Sequence, residues 1–274
     1  MNKAVRTRVG AAMAGAVLLV GGLTACGGDK AGAGKAGGDG KAGASEAAQT
    51  PAEAVKASYL KTVKAGFAKA ELSTAGADGK TTGQSGTKGW YPSTHDITLT
   101  GGEKPHRSTM IGDTVYTQMD KPVDGKTWMR IDLAKDGKPG VRLNEDPAEY
   151  LAMLLGQEKL TLVGTEKAGG TETRHFKAVL THEDLLKADE SGKVMEQKNR
   201  DYLHEAVKHL TAFEADVWIG ADGYPVRVDA VSTDKDGASR TTAKFSDYGS
   251  VPAIAAPAAD DVISFDDLMK GSGS

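Results

Sequence analysis

Strict apolar–polar alternation constrains this chain of 274 residues more than any other feature. Phe213, Ala215, Val217 and Ile219 are interleaved with Glu214, Asp216 and Trp218, so an extended segment presents one apolar side and one polar side. The turn Gly220-Ala221-Asp222-Gly223 then leads into Tyr224-Pro225-Val226-Arg227-Val228, the return strand of a hairpin. Asp234-Lys235-Asp236-Gly237 makes a second turn, and Thr241 to Tyr248 a further strand. Upstream, Asp96 to Thr100 sets Ile97 and Leu99 against polar neighbours. Asp113 to Met119 puts Val115, Thr117 and Met119 opposite Tyr116 and Gln118, and Trp128 to Leu133 puts Met129, Ile131 and Leu133 opposite Arg130 and Asp132. Long antiparallel strands with one apolar face require a cover. Four helical segments can supply it. Thr50-Pro51-Ala52-Glu53 is a capping box with proline at the first helical position, followed by Val55, Tyr59, Val63 and Phe67 at intervals of four, with Leu60 alongside and Gly66 near the stop. Asp146-Pro147-Ala148-Glu149 repeats the start signal ahead of Tyr150, Leu151, Met153, Leu154 and Leu155, and Gly156 ends that helix. Thr181 with Asp184 opens a third helix, and Val194 to Leu210 reads as a fourth. The expected class is α+β.

The first 49 residues follow a different logic. Lys3, Arg6 and Arg8 make a positive start, and no acidic residue precedes Cys26. The uncharged run Val9 to Gly22 is about 14 residues, shorter than the roughly 20 a spanning helix needs, and fits a secretory leader. It ends in Leu23-Thr24-Ala25-Cys26, which resembles the lipobox of bacterial lipoproteins position for position. That resemblance implies cleavage before Cys26, a thioether-linked diacylglyceryl group on its sulfur and usually a further N-acyl chain. Two or more acyl chains give the stable membrane anchoring that one cannot. Cys26 is the sole cysteine, so no internal disulfide can staple the exported part, and no other thiol is free to act as a Cys-His nucleophile. The 23 residues from Gly27 to Gln49 include 8 Gly and 7 Ala, too little apolar surface to fold, and read as a tether. The expected organisation is a leader at 1–25, the lipidated cysteine and tether at 26–49, and a folded domain at 50–274.

Charge excludes one class of partner. The chain carries −3, and loss of the three leader cations leaves about −6. No block of Lys and Arg interleaved with aromatics is present, which argues against nucleic-acid binding.

The ordered series of parts resembles a family of actinobacterial lipoproteins that includes LprG, LppX, LprA and LprF, within the superfamily of the lipoprotein carrier LolA. The matching stretches are Pro51–Gly66, Val115-Tyr116 with Gly125-Lys126-Thr127-Trp128, and Pro147–Gly156. They continue through Leu162-Val163-Gly164-Thr165-Glu166 and Gly169 to Phe176, then Val217-Trp218-Ile219-Gly220 to Pro225-Val226-Arg227, and end at Phe245 to Gly249. The resemblance implies a strongly curved antiparallel half-barrel with helices covering its concave face and an apolar cavity between them that holds acyl chains of a lipid or glycolipid. Candidate cavity residues are Tyr59, Val63, Tyr150, Met153 and Leu154 on helices and Val115, Met129, Ile131, Val217 and Ile219 on strands. The same stripe could equally form a dry core. The expected function is a membrane-anchored, extracytoplasmic binder or shuttle of lipid. The alternative is an envelope sensor or scaffold that uses the same fold to bind a protein partner.

Chemistry-bearing motifs are weak. His204 and His209 lie five apart, so they stand about 140° apart around a helix and cannot form the zinc-protease pair; they read as solvent-facing helix residues. His182 reads as the polar first turn of a capped helix, and His95, His106 and His175 have no ligand spacing. No Gly-x-Ser-x-Gly elbow is present, and Gly83-Gln84-Ser85-Gly86 reads as a low-complexity loop. Gly220 to Gly223 lacks the Lys-Ser/Thr of a phosphate loop, and the Asp-rich turn 234–237 lacks a bidentate Glu for calcium. The sequence therefore points away from an enzyme, a metal site and a cofactor.

Overall fold

The computed structural model describes residues 49–133, 135, 143–190, 194–250 and 254–271. Cys26, the lipobox-like segment and the expected tether up to residue 48 lie outside them. Helix α1 (Pro51–Ala65) starts as the sequence dictates: the Thr50 hydroxyl accepts from the Glu53 amide, and the Glu53 carboxylate accepts from the Thr50 amide. Six antiparallel strands follow, β1 (Phe67–Ala75), β2 (Thr81–Gly89), β3 (Thr94–Thr100), β4 (His106–Ile111), β5 (Thr114–Val123) and β6 (Lys126–Asp132). Helix α2 (Pro147–Met153) is capped by Asp146, whose carboxylate accepts from the Glu149 amide, and it ends before the Gly156 that the sequence marks as its stop. Next come β7 (Thr161–Ala168), β8 (Thr171–Thr181), α3 (His182–Leu186) and α4 (Gln197–Val207). The α3 start has the Thr181–Asp184 capping box in full, whereas α4 is shorter than the Val194–Leu210 expected. The chain closes with β9 (Ala212–Gly220), β10 (Pro225–Asp234), β11 (Gly237–Ser246), β12 (Val262–Ser264) and α5 (Phe265–Gly271).

The strands form one open sheet in the order β12-β6-β5-β4-β3-β2-β1-β11-β10-β9-β8-β7. Every pairing is antiparallel except β12 on β6. The register places Ala70 opposite Phe245, Leu72 opposite Ala243, Val228 opposite Val217, and Val217 opposite Phe176 on one inner face. Helices α1 to α4 contribute the other wall of the core, in which Val55, Leu151, Met153, Leu185 and Val207 are buried with Phe176, Phe213 and Val228. The core is large because a long β-meander gives it five parallel rows of inward side chains, and its stability comes mostly from this apolar burial.

Strand β2 corrects the sequence reading. Gly83 to Gly86, expected to be a loop, lies in the middle of β2. The segment has no apolar alternation because its inner face here carries Gln84, Gly86 and Lys88. Gly86 has φ +149°, and a β-carbon there would lie 2.2 Å from the Asp96 carbonyl oxygen of β3. The glycine thus permits a close approach of β2 to β3 that any side chain would block.

Candidate ligand cleft

Where α1 leaves the sheet, the β2–β3 turn folds over its C-terminal half and the lead-in to α4 closes the third side. The three leave a cleft of about 500 Å³, within the range of small-molecule sites. Its lining combines apolar Leu60 and Val63 from α1, Phe67 from β1, Trp90 from the β2–β3 turn and Val194 with polar Glu196, Lys198 and Asn199 around the start of α4. Leu60, half exposed, stands at the opening. The Trp90 indole is fixed by donating from Nε1 to the Thr62 carbonyl at 3.0 Å. The Tyr59 hydroxyl donates to the Tyr91 hydroxyl at 3.4 Å, while Thr94 Oγ1, closed off against Gly89 of β2, has no partner among the described residues. Burial pushes Tyr59 up to about 12 and Tyr91 further up, so both phenols stay protonated.

Behind the cleft runs a buried polar belt. Lys88, fully buried on β2, donates to the Asn144 carbonyl at 2.5 Å. Asn144 donates to Asp146 at 2.8 Å, and the Glu145 amide donates to the Glu149 carboxylate at 2.7 Å. Glu145 also accepts from Gln84 and Thr241, each at 3.2 Å, which ties the α2 lead-in to β2 and β11. Burial lowers Lys88, while Glu145, Asp146 and Glu149 pull it back up. Burial raises Asp146, and burial followed by the nearby Asp146 raises Glu149 well above the usual carboxylate range.

One contact bears on catalysis. His95 Nε2 lies 3.1 Å from Ser108 Oγ on the inner face of β3 and β4. Burial first, and Lys88 second, push His95 down to about 4. A base so weak is poorly matched to activating a hydroxyl near neutral pH. Among the described residues no carboxylate accepts from its second nitrogen to orient it, as a hydrolytic triad requires.

The ten candidate cavity residues are distributed over three places. Tyr59 and Val63 line the cleft. Tyr150, Met153, Leu154, Val217 and Ile219 are packed in the core, each at most 2% exposed. Val115, Met129 and Ile131 share the inner face of β5 and β6, where Val115 opposes Ile131 and Met129 opposes Thr117, and all three are half-buried. Trp90, Tyr91 and Thr94 escaped the sequence reading because only the β1–β2 and β2–β3 pairings bring them to α1.

The histidines settle individually. His204 is half-buried rather than solvent-facing, and His209 is exposed. His182 Nδ1 lies 2.8 Å from the Leu210 carbonyl. His175, scattered in sequence, is the centre of a cluster on the outer face: Nδ1 is 2.8 Å from Glu166 and Nε2 is 2.7 Å from Asp216. Its ring stacks on Trp218 at 4.3 Å, and Arg227 covers the other side of that indole at 4.8 Å. Among the described residues no group of His, Cys, Asp and Glu could hold a metal ion, and no helix is long and apolar enough to cross a membrane.

An open, mostly antiparallel sheet with a few helices on its inner face defines the class: an α+β half-barrel of the LolA-like kind. Within it, the solved structure of LprF from Mycobacterium bovis aligns with a TM-score of 0.50 and 14% identity, over 76% of this chain and 97% of that one. The lipoprotein LppX of Mycobacterium tuberculosis aligns with a TM-score of 0.42 and 15% identity, over 74% of this chain and 98% of that one. An uncharacterized 31.2 kDa protein from the rplA-rplJ intergenic region of Streptomyces griseus is 28% identical over 252 residues, 82% of each chain. No family model matches the sequence.

Proposed function

We propose that this protein is a lipoprotein anchored through Cys26 on the extracytoplasmic face of a membrane, and that it holds or shuttles a lipid. The acyl part occupies the cleft between α1, the β2–β3 turn and the approach to α4. The observation that carries the reading is the chemistry of that cleft. Leu60, Val63, Phe67 and Val194 offer an apolar wall to a hydrocarbon chain, while the Tyr59–Tyr91 hydroxyl pair offers hydrogen bonds to an ester or hydroxyl of the same ligand.

Native mass spectrometry of the compact unit from Ala47 to Ser274, purified from cells without detergent, tests this reading. The expected result is extra mass that leaves on organic extraction as an identifiable lipid, and that Val63→Trp, which fills the cleft, reduces by about ten-fold. A clean apo mass that persists after incubation with host lipid extract would sink the lipid reading and leave the protein-binding scaffold in its place.

A further inference from the structure

We propose that Lys88 and Asn144 join in an intramolecular amide bond, made by the folded chain itself, that staples β2 to the segment leading into α2. Lys88 is 2% exposed, and its amine donates to the Asn144 main-chain carbonyl at 2.5 Å. Among the described residues no carboxylate forms an ion pair with it. A buried ammonium without such a partner is costly, so the site favours the uncharged amine, which is the nucleophilic form. Burial pushes Lys88 in that direction, against the pull of Glu145, Asp146 and Glu149. The side chain it attacks belongs to the residue it already touches, and that side chain is fixed. Asn144 Nδ2 donates to Asp146 Oδ2 at 2.8 Å and to the Gly89 carbonyl at 3.4 Å. Asp146 is 3% exposed, and burial raises its carboxyl, so it can carry a proton beside the nitrogen that has to leave.

The lone pair of the neutral Lys88 amine attacks Asn144 Cγ, and the carbonyl π pair moves onto Oδ1. Both nitrogens then sit on one carbon, within reach of the same carboxyl group. Asp146 takes a proton from the attacking nitrogen and returns it to Nδ2, and the carbonyl re-forms as Nδ2 departs. One C–N bond is made, one is broken and one ammonia leaves, with no oxidant or co-reactant. The bond joins residues 56 positions apart, and it restricts the unfolded chain as a disulfide does. Cys26 is the sole cysteine, so an internal disulfide is not open to this domain. The staple holds whether or not the cleft takes a lipid.

The unsubstituted protein is enough to test this. The full chain recovered from cells is denatured and digested with trypsin, and the peptides are weighed. The expected product is a branched peptide in which Thr81–Arg107, uncut after Lys88, is joined to Leu143–Lys159. It is lighter than the two together by about 17 Da, the mass of one ammonia. Separate Thr81–Lys88 and Leu143–Lys159 peptides in its place would overturn the proposal and leave Lys88 a hydrogen-bonded core amine. A branched peptide lighter by about 18 Da, one water, with fragments that put the link on Asp146 or Glu149, would overturn it too, because the amine then attacks a carboxyl group. Asn144→Ala should lose the branched peptide and melt about 10 °C lower than the linked chain. Asp146→Asn keeps a cap on α2 but no proton-carrying carboxyl, and it should lose the branched peptide as well. Branching that persists in this variant would overturn the role given to Asp146.

Discussion

The two halves of the sheet are built on the same alternation but end differently. From β1 through β11 to β8, inner residues such as Ala70, Val228, Val217 and Phe176 are at most 2% exposed beneath α1 to α4. From β3 to β6, Leu99, Met110, Val115, Met129 and Ile131 on the same face remain half-buried. Between them the inner face turns polar, with Gln84, Lys88, His95 and Ser108 in place of an apolar row. The covered half is a core and is responsible for stability. The open half is an apolar surface whose side chains gain little from the fold as it stands.

That contrast can be broken most sharply by truncation. Phe213→Ala in the covered half should cost about 3–5 kcal/mol, while Ile131→Ala in the open half should cost about 1 kcal/mol, both read from urea denaturation midpoints. Equal costs would mean that the open half is packed as tightly as the core. The polar belt between the halves should show itself in pH dependence. Burial holds His95 down at about 4 in the folded chain, against 6.5 for an unperturbed histidine. The unfolded chain therefore takes up this proton first as pH falls, and stability drops between pH 6.5 and 4 by roughly 3 kcal/mol and no further below it. The buried carboxylates Asp146 and Glu149 are raised and act in the opposite direction, so the informative quantity is the difference between the wild-type protein and His95→Gln. If that difference is flat across this window, His95 is not held neutral by the fold. A smaller effect is expected at the start of α1, where Thr50→Ala removes the hydroxyl that accepts from the Glu53 amide and should cost about 1 kcal/mol. The smallest is expected on the outer face, where Lys69→Met breaks the exposed 2.6 Å pair with Asp247. A thermal shift there above about 1 °C would contradict the low worth of such exposed pairs.

The legible parts of the sequence are those where local pattern and tertiary environment agree. Ala212–Gly220 alternates because both its faces have constant surroundings, and the capping residues Thr50, Asp146 and Thr181 act within one turn of their own helices. β2 was illegible because its inner positions face the polar belt and its glycines answer to β3, a strand the local sequence does not reveal. β12 has only three residues, too few to display a period. Of the cleft, Tyr59 and Val63 could be read from helical spacing, whereas the unpartnered Thr94 hydroxyl depends on three separate elements meeting. The His175 cluster was hidden for the same reason, since Glu166, His175 and Asp216 come from three neighbouring strands.

The strand order has a consequence for how the molecule comes into being. β1, the first strand made, sits at the centre of the sheet and is paired on one side by β11, the last of the long strands, with Leu72 against Ala243 and Lys69 against Ser246. The meander from β2 to β6 can assemble by neighbour-to-neighbour hairpins as soon as it leaves the ribosome. The core cannot close until residues near 246 have emerged, because the loop that β1 and β11 close spans nearly the whole domain, and so distant a contact is slow to form. A chain built in this order stays unlocked for most of its synthesis.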